Sequence, residues 1–490
     1  MLSLERLLAG TGIVGTGGGM DLGSMLLQPR QLQSGNFFFK LRSPQFRRSA
    51  AEAVGRGAKG VVLEAGDPEE ANVPSGVPYV IVDDVNRAFA RVCSRLFGDA
   101  HEGLVLIGIT GTKGKTTVCH LVDGALRACG LRVGLLSSLV RRLPDLECAA
   151  PNTTPDALSL HSFLADLRRR GGTHAVIEVS SIGIAEERIF GLRFDALALT
   201  NLGSDHLEYH GGREAYIAVK RRLFIEPAFH RSASTLCAFN ADDPICREIA
   251  KSSLGRVMTF GFAAADVTPE DYQSSIDGIT LRLNGHELKS PLFGRHNASN
   301  LLAAATIVRD VMQSESAFRQ LQNVTALPGR MERLTTTAGV DVYVDYAHTP
   351  ESVRAALDAV REIAAGRRIV SLVGCSGNSD RAKRPLMARA AMEGSDLCIF
   401  TSDNPGDEHP ASIVMDMLRG TAGAAEGRVK TVLDRSLAIA HAIREALPDG
   451  IVVLMGKGVE KFQRIAGASI PHSDHEAAAR VLREVSQQVQ

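Results

Sequence analysis

A short apolar run, Val105 to Ile109, leads directly into Thr110-Gly111-Thr112-Lys113-Gly114-Lys115-Thr116-Thr117. These residue types at a strand-to-helix junction suit phosphate. The glycines let backbone N–H groups converge on its oxygens, Lys115 neutralises charge, and a threonine hydroxyl can reach a magnesium ion held between phosphates. Beyond the loop, Val118, Leu121, Val122, Ala125, Leu126 and Cys129 fall on one helical face, and Gly130 stops the helix. The N-terminus of that helix therefore points at the loop. The usual spacing places a glycine where Ile109 stands, and Gly111 lies only three residues before Gly114, so the loop is a shortened variant.

Other groups could serve such a loop. Glu178-Val179-Ser180-Ser181 ends an apolar run from Ala175 to Val179, and a carboxylate at a strand end is placed to hold a metal facing the loop. Asn201, Asp205, His206, Glu208 and His210 follow the run Ala196 to Thr200 within ten residues. They read either as a ligand cluster or as a solvated acidic turn. Lys220 precedes Arg221 and Arg222 on a helical stretch, and composition alone puts it on a solvated face. Later, Asp345-Tyr346-Ala347-His348-Thr349-Pro350, Ser379 to Arg384, Asp403-Asn404-Pro405 and Gly456-Lys457-Gly458 each follow an apolar strand. Turn chemistry explains any one of them. Four on one sheet edge point to a shared cleft, with Lys383, Asp403, Asn404, Gly456 and Glu460 as its substrate-binding candidates.

Strand-like and helical runs alternate almost throughout, which predicts an α/β chain built on largely parallel sheets. A length of 490 residues suits about three domains, and breaks come near 103 and 328. Residues 1–102 carry strands at Phe37-Phe38-Phe39, Gly60 to Leu63 and Tyr79 to Val82, then a helix through Phe97. Residues 103–328 hold the phosphate loop and a hairpin-like Thr280 to Leu288, closing at Leu327-Pro328-Gly329. Residues 329–490 carry the strands Val342 to Val344, Ile369 to Val373, Leu397 to Thr401 and Ile451 to Met455, a doubly wound, Rossmann-like pattern with ligands expected at the strand ends. Gly10-Thr11-Gly12-Ile13-Val14-Gly15 spells G-x-G-x-x-G, but it follows a helical segment and is read as a flexible loop, not a dinucleotide fingerprint.

Composition narrows the partners. Hydrophobic residues at 44% and charged ones at 22% are globular values, and no run is long enough to span a membrane. With 55 basic and 55 acidic residues the net charge is zero, which argues against nucleic acid. Eight cysteines without a C-x-x-C pair, and no basic segment followed by an apolar signal core, predict reduced thiols and a cytoplasmic protein.

Taken together, Gly108 to Thr117, Asn152-Thr153-Thr154, Glu178-Val179-Ser180-Ser181, Thr200-Asn201-Leu202 with Asp205 to Gly211, His296-Asn297 with Asn300, Gly329-Arg330-Met331-Glu332 and Asp345 to Pro350 resemble the Mur ligases. The nearest branch is the UDP-N-acetylmuramoyl-tripeptide synthetases, and the likeness runs in order over nearly the whole chain. The resemblance implies a central phosphate-loop ATPase domain and ATP-dependent amide formation. A substrate carboxylate attacks the γ-phosphate, and an amino acid's amine then displaces phosphate from the acyl phosphate. It implies catalytic roles for Lys115, Glu178, His206 and Lys220, and nucleotide contacts from Thr110 to Thr117 and from Asn297, Arg330, Asp345 and His348. It further implies two magnesium ions served by Thr116, Glu178, His206 and a carbamylated Lys220, which reverses the reading of that lysine from composition. Asn152, Thr153, Thr154, Ser180 and Arg188 fall at the muramyl-peptide positions. The last domain is expected to close over the central one, shielding the acyl phosphate from water. Small-molecule acid and amino-acid substrates and a monomer are the partners expected.

Departures from the family pattern fall at substrate positions. Gln28-Pro29-Arg30 stands where the family has Asp-Ser-Arg for the uridine nucleotide, Lys113 replaces an asparagine, and Ile182 and Val459 replace histidines, while Glu460 is retained. Ser379 and Gly406 occupy positions where diaminopimelate-adding enzymes carry arginines, and losing both removes the donors that clamp a carboxylate. The expectation is a ligase whose substrates have diverged from the cell-wall pathway and whose acceptor is not meso-diaminopimelate. The alternatives are an orthodox UDP-N-acetylmuramoyl-L-alanyl-D-glutamate ligase and a non-catalytic nucleotide-binding scaffold, the latter opposed by the retained Lys115, Thr116, Glu178, His206 and Lys220.

Overall fold

The computed structural model describes residues 2–17, 26–27, 37–42, 49–325, 327–334, 339–423 and 427–489. Gln28-Pro29-Arg30 lies outside them. The chain divides into two compact units, residues 1–267 with 303–320, and residues 268–302 with 321–490.

In the first unit a four-stranded sheet runs in the order Ile13–Gly17, Tyr79–Val82, Val61–Glu64 and Phe38–Phe39. Its core is built from Leu4, Leu7, Phe37, Val62, Val80, Val82 and Val92. The G-x-G-x-x-G run is not a loop throughout. Gly10 and Gly12 turn the chain after the helix Leu4–Leu8, with φ of 69° and 68°, and Ile13 already begins a strand. The reading as a dinucleotide fingerprint therefore fails, because a helix precedes the run and a strand follows it.

The same unit contains an eight-stranded sheet in the order Leu146–Ala149, Val140–Leu143, Val133–Leu136, His174–Glu178, Val105–Thr110, Ala196–Leu199, Leu236–Asn240 and Arg256–Phe260. The first two strands form an antiparallel hairpin, and the strands from Val133 onward are parallel. Strands covered on both faces read as unbroken apolar runs. Leu106, Ile177, Phe194, Leu197, Leu199 and Phe239 are buried in one cluster, each contributing about 1.5–3 kcal/mol of hydrophobic burial. Strand order is what assembles the chemistry. Ile109 pairs with Glu178 on one side and with Ala198 on the other, so the ends of His174–Glu178 and Ala196–Leu199 flank the phosphate loop. The helix Lys115–Ala128 begins at that loop and buries Val118, Leu121, Val122, Ala125 and Leu126, the face read from the sequence.

The second unit is organised on a six-stranded sheet in the order Glu332–Leu334, Asp341–Asp345, Ile451–Met455, Ile369–Cys375, Leu397–Ser402 and Val429–Thr431. All are parallel except the first. Alternate residues feed two cores, Ile369 and Val373 on one face and Val370 and Leu372 on the other, as a doubly wound sheet requires. The hairpin near Thr280 joins Asp271–Ser275 in a three-stranded antiparallel sheet, Asp271–Ser275, Gly278–Leu283 and His286–Ser290, and this sheet belongs to the second unit.

Gly108 is packed so closely that an added Cβ would lie 2.8 Å from the Phe194 ring and 2.9 Å from Leu197. Gly108→Val is expected to cost about 1–3 kcal/mol through overpacking, read as a lower urea midpoint with an unchanged m-value.

Candidate active site

The loop is held by groups brought to it by the neighbouring strands. Asn201 accepts from the Lys113 amide at 2.9 Å through Oδ1 and donates to the Lys113 carbonyl at 3.1 Å, while its own carbonyl accepts from the Thr112 amide at 2.9 Å. The Thr200 hydroxyl donates to the Lys113 carbonyl at 2.6 Å. Gly111 is fixed by space, since a Cβ there would stand 1.9 Å from Thr200 Oγ1 on a backbone with φ of 150°. Thr112 Oγ1 bonds to the Tyr216 hydroxyl at 2.9 Å and accepts from the Gly203 amide at 2.9 Å. Asn201 thus acts as a clamp on the loop, a role its place among possible metal ligands did not suggest. Beyond the clamp, Gly114 turns left-handed at 82° and the first-turn amides of the helix, which lack intrahelical acceptors, begin at Lys115.

Two lysines converge on one carbonyl. Lys115 Nζ donates to the Gly111 carbonyl at 3.0 Å and to that of Thr112 at 2.9 Å. Lys220 Nζ donates to the same Gly111 carbonyl at 2.9 Å and to Thr110 Oγ1 at 3.0 Å. The two ammonium groups therefore lie no more than about 6 Å apart. Lys220 is buried, against the composition reading of a solvated face, because its helix Arg213–Ile225 turns Tyr216, Lys220, Leu223 and Phe224 inward. Burial and then the neighbouring Lys115 hold the Lys220 amine well below the ordinary lysine range. Its nitrogen also stands 5.2 Å from the centroid of the Tyr216 ring.

On the other side of the loop Glu178 is buried. Its Oε1 accepts from the Thr116 hydroxyl at 3.0 Å and its Oε2 from the Ser138 amide at 2.8 Å. A threonine hydroxyl beside a carboxylate is a set of hard oxygen donors suited to magnesium, so these residues fit the ion that a bound triphosphate would bring. Ser138 and Tyr216 were not legible as site residues, since nothing in their spacing points to the loop.

The residues from Asn201 to His210 separate. Asp205 approaches Lys113 at 3.8 Å, and His210 bonds Ser181 Oγ at 2.9 Å and meets the Tyr216 ring edge-on. Burial and the nearby His206 lower the His210 pKa. His206 itself sits on a left-handed turn with φ of 52°, its side chain 54% exposed and 3.9 Å from Asp205. Among the described residues no group of three or more His, Cys, Asp or Glu is gathered where it could hold a metal ion.

Of the residues expected to meet a muramyl peptide, Thr154 is buried and donates to the Glu178 carbonyl at 2.8 Å, and Ser180 caps the short helix Ser181–Ala185. Arg188 is committed to Glu186 at 2.6 Å and to the Thr154 carbonyl at 2.7 Å. Asn152 is exposed and Thr153 half-buried.

The second unit carries the remaining candidates. Asn297 is buried, donating to the Phe293 carbonyl at 2.9 Å. The Asp345 carboxylate accepts from the Met331 and Ala347 amides, each at 2.8 Å. Arg330 lies over the Tyr346 ring at 5.0 Å, and His348 Nδ1 stands 2.8 Å from the Tyr346 carbonyl. The four polar strand ends meet as expected in one cleft, lined by Tyr346 and His348, Ser376 and Lys383, Asp403 and Asn404, and Gly456 and Glu460. Beneath it Lys457, fully buried, donates to Asn404 Oδ1 at 3.0 Å and Glu460 Oε2 at 2.8 Å and stands 3.7 Å from Asp403. Lys457 belongs to the Gly456-Lys457-Gly458 cluster of the sequence but is not among its substrate-binding candidates. Gly406 has φ of 59° and is bonded through its amide to the Arg464 carbonyl at 2.9 Å.

A phosphate loop on a parallel sheet, followed by a doubly wound sheet with a strand-end cleft, is an arrangement suited to an enzyme that uses a nucleoside triphosphate. Two family models match, the Mur ligase middle domain over residues 109–308 and the Mur ligase glutamate ligase domain over residues 329–458. A UDP-N-acetylmuramoyl-L-alanyl-D-glutamate–2,6-diaminopimelate ligase from Geobacter metallireducens is 35% identical over 492 residues, covering 95% of each chain. The protein of the same name from Gloeobacter violaceus is 36% identical over 492 residues, covering 98% of each. A solved structure of a ligase of that name matches with a TM-score of 0.67 at 27% identity, over 100% of this chain and 99% of the other. The chain belongs to the Mur ligase family and is an ATP-dependent acid–amino-acid ligase. Among its described residues no helix is long and apolar enough to cross a membrane.

Asn201→Ala removes both side-chain bonds to the Lys113 backbone. At about 0.5–1.5 kcal/mol each, their loss should lower thermal stability and, by loosening the loop, weaken ATP binding roughly tenfold in a calorimetric titration.

Proposed function

We propose that this ligase activates a carboxylic acid as its acyl phosphate and passes the acyl group to an amino acid other than meso-diaminopimelate. Bound ATP supplies the phosphoryl group. The loop amides and Lys115 would bind its phosphates, and Thr116 and Glu178 would hold one magnesium ion. A carbamate on Lys220 would convert a cation into an anionic ligand for a second. The environment of Lys220 supports this, because only a neutral amine adds carbon dioxide, and burial beside Lys115 favours that neutral form. Asp345, Asn297, Arg330 and His348 would contact the nucleoside, and His206 remains the candidate facing the acyl phosphate.

The observation that carries the acceptor assignment is that, among the described residues, no arginine lines the cleft. Ser379 and Gly406 supply none, and the arginines that follow Ser379 are taken, Arg381 by Glu408 and Arg384 by Glu408 and Asp416. Gly406 cannot readily be an arginine here. Its backbone is left-handed, and a Cβ would come 3.1 Å from the Asn378 amide group. A distal carboxylate on the acceptor would therefore lose the bidentate partner that makes such recognition tight. The second reading, orthodox addition of meso-diaminopimelate to UDP-N-acetylmuramoyl-L-alanyl-D-glutamate, is favoured by the names of the relatives.

Phosphate release with that muramyl peptide and a panel of amino acids separates the two. Saturable turnover with meso-diaminopimelate would establish the second reading and remove the first. A further expectation concerns Lys220. Preparation free of carbon dioxide should reduce turnover, bicarbonate should restore it, and Lys220→Ala should lose at least ~100-fold with no restoration by bicarbonate.

A further inference from the structure

Arg435 and Asp474 form an ion pair with both side chains fully buried. Arg435 Nε donates to Asp474 Oδ1 at 2.8 Å and Nη2 to Oδ2 at 2.6 Å, a bidentate arrangement. His472 adds a bond to the same carboxylate at 2.8 Å. The guanidinium also donates to the Met455 carbonyl at 3.0 Å and the Ser402 carbonyl at 3.4 Å. These carbonyls end the strands Ile451–Met455 and Leu397–Ser402, and the next residues along the chain, Gly456 and Asp403, line the cleft.

The two strands are not neighbours, because Ile369–Cys375 lies between them. Pairing with that middle strand ends at Val373 on the Met455 side and continues to Cys375 on the Ser402 side. Arg435 thus links two strand ends that no ladder joins, at the place where they diverge to open the cleft. From the antiparallel hairpin of Phe462–Ile465 and Ala468–Pro471, Gln463 supports the same end, donating to the Asp403 carbonyl at 2.7 Å and the Ser402 carbonyl at 3.4 Å. Desolvation cancels much of the Coulomb gain of a buried pair, so such a pair is a weak source of net stability. What it supplies is geometry, since a guanidinium gripped on two edges can point its remaining donors in fixed directions.

We propose that Arg435, held by Asp474, is a positioning residue for the ligase reaction, setting the separation between Asp403–Asn404 and Gly456–Glu460 and with it the fit of the amino-acid substrate. Use of the cleft by an amino acid rests on the function proposed above. The mechanical role does not. Lysine at 435 keeps the charge but cannot reach Asp474, Ser402 and Met455 together.

Hydrogen exchange on full-length Arg435→Lys tests the mechanical role without any ligand. The reporting amides are Gly377, bonded to the Asn404 carbonyl at 2.8 Å, Gly406, bonded to Arg464, and Gly456, bonded to the Asp345 carbonyl at 3.2 Å. Exchange around these three should quicken roughly tenfold, with the strand Ile369–Cys375 and the first unit unaltered. No change there, or an equal rise through the whole second unit, would overturn the proposal. If Arg435→Lys does not fold, Asp474→Asn, which releases the guanidinium while leaving Arg435 in place, replaces it. Faster exchange at Gly377, Gly406 and Gly456 is then expected, and unaltered exchange there refutes the proposal. In turnover, the amino acid giving most phosphate release in the panel should show a KM raised about tenfold, with kcat and the KM for ATP within about twofold. A loss confined to kcat speaks against positioning. Should no amino acid support turnover, the acceptor reading fails while exchange still decides the role of Arg435.

Discussion

Two ammonium groups donating to one carbonyl is an arrangement with two stable resolutions, the arrival of negative charge and the loss of a proton. Lys115 and Lys220 share the Gly111 carbonyl inside a loop that Asn201, Thr200 and Tyr216 hold rigid. With both protonated, the repulsion is undiluted by water on the Lys220 side, where the amine is buried. A triphosphate satisfies Lys115, and neutralisation satisfies Lys220. The phosphate loop and the reactivity assigned to Lys220 are thus two outcomes of the same crowding.

Strand order creates this crowding. His174–Glu178 and Ala196–Leu199 pair on either side of Val105–Thr110, which brings Glu178 against Thr116 and Asn201 against Lys113 from points 62 and 88 residues away along the chain. The site is the mouth of three parallel strands, and its precision comes from hydrogen-bond ladders that continue into a dry core.

The loop, its helix and the four strand-end clusters of the second unit could be read from sequence because each depends on neighbours within a few residues. Apolar periodicity gives the helix, and turn-forming residues mark the strand ends. The clamp by Asn201, the contacts of Ser138 and Tyr216 and the burial of Lys220 could not be read that way, since they follow from which strands lie side by side. Lys220 shows the limit most clearly. Its neighbours Arg221 and Arg222 are partly or fully exposed, and only the rotation of one helix separates it from them. Arg435 and Asp474 pair across 39 residues and carry no motif, whereas the cleft they brace was foreseen. The strand beginning at Ile13 was missed because glycines on both sides resemble a loop.

The phosphate loop and the strand-end cleft are housed in different units. The loop with Glu178 and Lys220 lies in residues 1–267, while the cleft around Asp403 and Glu460 lies in residues 321–490. Under the function proposed above, changes at Asp403, Asn404 or Glu460 leave the phosphate loop, Glu178 and Lys220 in place, so a lineage can exchange one amine for another without passing through an inactive ancestor. Such a partition makes diversification of products easy to evolve.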